Sequence, residues 1–427
     1  MTETTPFPTL SLAERDRRWA LAQQLIDSRD LAALLVYGEP EGSGVPHRAA
    51  DNYFTNDRTG SVVLIPRGHP PLLLAPVHLA IGGHYEAVRR GDDCWLEPAQ
   101  FLTHTGDLAA GGARGGAWIA ACLRERGLAA SRIGVIGLGP AAFHPDGIMP
   151  ANTWRRLAET VPDAEFTAVD AEFFTLTRLR SAEERQLLRW CATAGEQMCA
   201  AMIDAAGVGV PETEVYAAGI AASLRAGAHN SGSVLVLGAG GETVEWGPPD
   251  WTYRARPPRL LADGDVLLAE LFPVYGLLET QQQLAIAIGA THPDTDRAAD
   301  VARAGYDAGV AAIRPGVTFG RIAEVMYEPI RSAGGWNPTP LIHSLNPLDA
   351  FTHCRLSTAD VPGISAYGAV GGVPTVGADL ELRPGMVFAL EPNCTFGRRR
   401  VNIGGTVLVT EHGAEELNVL PCDLHRV

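Results

Sequence analysis

In Leu382-Arg383-Pro384-Gly385-Met386-Val387-Phe388-Ala389-Leu390-Glu391-Pro392 an apolar run, Met386 to Leu390, ends on an acid. A carboxylate in a buried strand is costly unless it is paired or put to use, so Glu391 is a candidate functional residue. Glu270, inside Val266-Leu267-Leu268-Ala269-Glu270-Leu271, poses the same problem further upstream.

Working outward from these strands, the second half of the chain carries an internal repeat. Gly209-Val210-Pro211-Glu212-Thr213-Glu214-Val215 leads into a helix ending at Ala226-Gly227. After 107 positions, Gly316-Val317-Thr318-Phe319-Gly320-Arg321-Ile322 leads into a helix ending at Ala333-Gly334. A helix precedes each copy (Glu184 to Ala206; Asp296 to Ile313), and strand-like sequence follows each. Two duplicated α-α-β units predict helices over a shared antiparallel sheet, with the site at the pseudo-twofold between them. Ser181 with Glu184 three residues on is a capping box that opens the first long helix, through Met202.

The stretch before it alternates instead. Leu12 to Ser28 is amphipathic, and Leu31 to Tyr37, Ser61 to Ile65 and Pro71 to Ala75 are short apolar runs ended by Gly or Pro. Trp118 to Leu123 reads as helix and Ile133 to Ile136 as a buried strand, which together predict an α/β layer domain. Gly137-Leu138-Gly139 after that strand lacks the third glycine of a dinucleotide loop and reads as a tight turn. The boundary is expected near Phe174 to Ser181, giving an α/β domain over 1–175 and an α+β domain over 176–427.

Composition narrows the chemistry. The 427 residues suffice for two to three domains, and a net charge of −15 without a basic stripe argues against nucleic acid or an anionic membrane as partner. No apolar run approaches a membrane span, the longest being of the order of Ser233 to Ala239, and no secretion signal is visible. A cytoplasmic location is the expectation. All 34 basic residues are arginine, so a lysine nucleophile, a Schiff-base lysine and a P-loop lysine are excluded. Seven scattered cysteines without a Cys-x-x-Cys pair fit reduced thiols.

These strings resemble the creatinase/prolidase/aminopeptidase P superfamily, the pita-bread fold, over nearly the whole chain. Leu382 to Pro392 is close to its L-x-P-G-M-V-F-x-x-E-P motif; Leu261 to Leu268, Thr406 to Gly413, Arg180 to Glu184 and Asp51-Asn52-Tyr53-Phe54 match further family stretches. The resemblance implies a creatinase-like N-terminal domain and a pita-bread C-terminal domain. Its metallopeptidases hold two metal ions on two Asp, one His and two Glu. Those positions fall on Glu270, Gln281, His343, Glu391 and Gly404, and a further family His falls on Tyr253. Two adjacent divalent ions need several carboxylates, and this chain keeps two of four, which argues against a two-metal site. One ion on Glu270, His343 and Glu391 is the alternative.

Without metal the resemblance is to creatinase, and it implies C–N bond hydrolysis of a small carboxylate-bearing substrate. Glu270 and Glu391 would repel across the sheet, letting one act as acid and the other as base. His343 is the second proton carrier, with Tyr253 a weaker candidate. Arg355 matches the carboxylate-binding Arg, with His353 nearby; Gln281 and Gln283 face the pocket as neutral hydrogen-bond partners. The Arg398-Arg399-Arg400 run reads as a solvated turn, and its place just before the final strand leaves an anion-binding role open. The segment Asn346 to Gly377, rich in Pro, Gly, Ser and Thr, reads as a substrate-specific lid. The superfamily also contains a metal-using dimethylsulfoniopropionate lyase and a histone-chaperone branch, so elimination, isomerisation and a non-catalytic binding module stay open. Creatinase-like chains imply a homodimer, with residues near Tyr53 and Phe54 reaching the other subunit's site.

Overall fold

The computed structural model describes residues 7–39, 50–57, 59–104, 114–140, 144–230, 236–244, 247–338, 340–345, 363–367 and 375–427. His353 and Arg355 lie outside the described residues, as does most of the Asn346 to Gly377 segment. The chain forms two compact units: one runs from Thr9 to Thr177, the other comprises Phe7, Pro8 and the described residues from Arg178 onward. No helix among the described residues is long and apolar enough to cross a membrane.

The first unit is built on a six-stranded mixed sheet in the spatial order Phe101–His104, Leu72–Pro76, Val62–Pro66, Ala33–Tyr37, Arg132–Ile136, Glu165–Ala168. Alternation along Ala33–Tyr37 sends Ala33, Leu35 and Tyr37 into one core layer and Leu34 and Val36 into the other. The Leu12–Ser28 helix, capped where Ser11 Oγ accepts the Glu14 amide at 3.2 Å, covers the second layer. The Gly137-Leu138-Gly139 turn is filled by protein. Both glycine amides donate to the Asp170 carboxylate at 2.7 Å, which leaves no cradle for a phosphate.

In the second unit the capping box is present as read. Ser181 Oγ accepts the Glu184 amide at 3.1 Å, Glu184 returns the bond at 2.8 Å, and the helix runs Ala182–Ala205. That helix and Glu212–Arg225 pack on a sheet ordered Leu424–Arg426, Gln282–Ala287, Val266–Leu271, Val236–Gly240. Helices Pro293–Ala312 and Phe319–Ser332 pack on a second sheet, ordered Ile342–Ser344, Val387–Leu390, Gly405–Val409, Ala414–Glu416. The two sheets meet at an antiparallel bridge between Gln283 and Gly404.

The duplication is legible in backbone geometry. Gly209 and Gly316 hold φ +82° and +84°, Gly227 and Gly334 +72° and +73°, each pair 107 positions apart. Each of these is left-handed backbone that glycine adopts without strain. Past the helices the offset becomes 121: the bridges Pro211↔Leu260 and Thr318↔Glu381 correspond, as do Gly264 and Gly385 at φ +87° and +93°. Glu270 and Glu391 are also 121 apart, so the two carboxylates are mates under the pseudo-twofold.

Candidate functional site

Strand alternation decides which side chains meet. Leu267, Ala269 and Leu271 pack under one helix pair, as do Leu284 and Ile286, so Glu270 and Gln283 point to the opposite face. On the other sheet Ile342, Phe388, Leu390 and Val407 pack under the second helix pair, as do Val401 and Ile403 on and just after the strand Arg399–Asn402, which pairs with Asn393–Phe396. His343, Glu391, Arg400, Asn402 and Thr406 alternate with these residues and thereby take the opposite face. Gln282 has the opposite sense. A Cβ on Gly195 of the long helix would fall 2.2 Å from its amide, so Gln282 is packing, while Gln281 and Gln283 enter the site.

Glu391 is the hub. Its Oε2 accepts from Gln281 Nε2 at 2.8 Å and from Gln283 Nε2 at 2.6 Å, and its Oε1 lies 3.4 Å from His343 Nε2. Gln283 Oε1 accepts from Asn402 Nδ2 at 2.6 Å. The Gln281 backbone is clasped by Thr406, whose Oγ1 accepts the Gln281 amide at 2.8 Å and donates to its carbonyl at 3.0 Å. Glu270 stands directly across the ladder from Gln283.

His343 Nδ1 lies 2.6 Å from the Ser344 carbonyl, which only accepts, so Nδ1 donates there. Its other nitrogen faces a carboxylate, and both contacts are made in full only by the imidazolium. Burial pulls this histidine down, but the charge and hydrogen bond of Glu391, the Ser344 carbonyl and the charge of Glu270 outweigh it and lift it to about 9. Glu270 is pushed up to about 8, by burial first and by the Glu391 charge second, against the opposing pull of Arg400, His343 and Gln283. With a side chain one-fifth exposed, against 2% for Glu391, His343 is the more accessible member of that pair.

The Arg398 to Arg400 reading needs correction. Arg399 pairs with Glu242, but Arg400 is buried, 5% exposed, within electrostatic reach of Glu270 and Glu391. The alternation Arg400-Val401-Asn402-Ile403, with Val401 and Ile403 in the core, is the signal that would have placed Arg400 and Asn402 in the site. Tyr253 is 59% exposed on a short turn, with the Arg254 guanidinium 5.5 Å from its ring, and among the described residues it shares no hydrogen bond with the Glu391 network. Tyr53 and Phe54 are core residues of their own unit. Phe54 is 2% exposed, Tyr53 stacks edge-on against Phe173 at 5.6 Å, and the Arg18 guanidinium lies 4.2 Å from the Tyr53 ring. Little of either ring is left to line a pocket elsewhere.

The residues do not fit a divalent pair. His343 alone keeps a ligand's posture, with Nδ1 anchored on a carbonyl and Nε2 forward. Glu391 Oε2 is saturated by two amide N–H groups, and Gln281 brings no charge. At Gly404, φ is +135° and an added Cβ would stand 1.9 Å from the Leu390 carbonyl oxygen, so this backbone cannot carry the last of the family's four carboxylates. No cluster of three metal-ligating side chains occurs among the described residues.

A profile of metallopeptidase family M24 matches residues 186–411, more than half of the chain. Probable dipeptidase PepE of Mycobacterium tuberculosis is 28% identical over 304 residues, covering 68% of this chain and 71% of that protein. Among solved structures, X-Pro aminopeptidase from Thermotoga maritima matches with TM-score 0.71 at 16% identity, over 96% of this chain and 99% of its own. Xaa-Pro dipeptidase from Bacillus anthracis matches at 0.70 and 16%, over 97% and 100%. At that identity the likeness establishes the fold, a creatinase-like N-terminal domain with a pita-bread C-terminal domain. With the profile match over the site-bearing half, the chain belongs to metallopeptidase family M24, hydrolases of C–N bonds.

Proposed function

We propose that this chain hydrolyses a C–N bond of a small carboxylate-bearing substrate by acid–base chemistry, without a divalent ion. The observation that carries the reading is the saturation of Glu391 Oε2 by two glutamine amides, with the imidazole of His343 against Oε1. In this mechanism water attacks the carbon of the scissile bond and gives its proton to Glu391, while His343 gives the proton it carries to the departing nitrogen. Glu391 then returns a proton to His343 across their contact, and the pair is restored. Glu270, kept protonated near neutral pH, donates a hydrogen bond to the oxygen on which charge develops. Arg355 is the proposed carboxylate anchor.

The dipeptidase relatives make Xaa-Pro dipeptides the first substrates to assay, followed by N-amidino and N-carbamoyl acids, with and without EDTA. Turnover that survives EDTA and falls roughly 10²–10⁴-fold in Glu391→Gln supports the proposal. Turnover abolished by EDTA and restored by added metal contradicts it. A partner retained by Glu391→Gln, with no turnover in wild type, supports a binding module instead.

A further inference from the structure

Two buried carboxyl groups on one face of a sheet call for a cation beside them, because a carboxylate buried without compensation is strongly disfavoured and a second one can stay there only by keeping its proton. In a two-metal centre the ions supply that charge. Here the neighbours supplied by the family positions are a neutral amide, Gln281, and a glycine, Gly404. Arg400 stands on the strand Arg399–Asn402, sharing its face with Asn402, which is tied to Gln283 at 2.6 Å. Its guanidinium is buried, and both Glu270 and Glu391 act on it. A guanidinium keeps its charge when buried and offers only donors, so it holds carboxylates and repels a metal ion.

We propose that Arg400 is the resident cation of this centre. It is a positioning residue that, together with His343, holds Glu270 and Glu391 in place of a divalent pair and keeps divalent ions out of the pocket. The inference rests on the metal-free reading above and adds the residue that makes it so.

The test titrates Co²⁺, followed by its visible absorption and by calorimetry, into purified wild type, Arg400→Met, Arg400→Lys and the double variant Arg400→Met with Glu270→Gln. Wild type and Arg400→Lys are expected to bind no stoichiometric Co²⁺. Arg400→Met is expected to bind one equivalent, roughly tenfold tighter or more, and the double variant to lose it again. A second reading covers the case in which Arg400→Met folds poorly. Its melting temperature should fall by roughly 10 °C, and Glu270→Gln should restore part of that loss by removing the acid that has lost its cation. Arg400→Met that binds no more Co²⁺ than wild type, or melting losses that simply add, overturns the role of Arg400. One tight equivalent in wild type overturns instead the metal-free reading.

Discussion

Glu270 and His343 both hold protons in the folded state that the unfolded chain gives up at lower pH. For Glu270 the folded value of about 8 lies above the ordinary carboxylate, so between pH 4.5 and 8 the native state binds the extra proton and stability falls as pH rises. For His343, lifted from 6.5 to about 9, stability is complete below 6.5 and is lost as pH climbs through 9. Both act in one direction. Melting curves across pH 5 to 9 should therefore show a steady decline in the site-bearing unit, and Glu270→Gln should flatten the part below pH 8. A decline identical in the variant would remove the raised Glu270 from the account. At this scale the sequence was half legible. Glu391 and Glu270 stand out as acids in apolar runs, whereas Arg400 was hidden inside three consecutive arginines of which only the middle of a buried strand separates one from its neighbours.

The strands and turns that carry these residues depend on backbone that only glycine supplies. Gly404→Ala would force a Cβ against the Leu390 carbonyl in a strained backbone region, and should cost roughly 2–4 kcal/mol in chemical denaturation. Gly316→Ala, left-handed but with nothing within 4 Å, should cost only about 1 kcal/mol. Equal costs would show that crowding at the bridge between the sheets is not what fixes Gly404. Elements with strong periodicity or caps were legible: the Leu12–Ser28 helix and the box at Ser181 are where the sequence puts them. Edge strands such as Glu165–Ala168, three of its four residues exposed, carry no apolar alternation, and nothing in their local sequence marks them.

For the whole molecule the repeat was the informative signal, because two offsets, 107 through the helices and 121 through the strands, place Glu270 and Glu391 as mates. A duplicated fold brings equivalent acids to one centre whether or not metal is kept. The homodimer implied by creatinase-like chains predicts a species of twice the 45.3 kDa chain mass in light scattering behind size exclusion. A monomer at micromolar concentration would remove it. The central claim, that a guanidinium, an imidazolium and two amides have replaced the metal ions of the family, is tested most directly by elemental analysis. Purified protein is chelated, re-exposed separately to Mn, Zn, Fe and Co, desalted and measured by inductively coupled plasma mass spectrometry. The account predicts far less than one equivalent of each; one or two tightly held equivalents would contradict it.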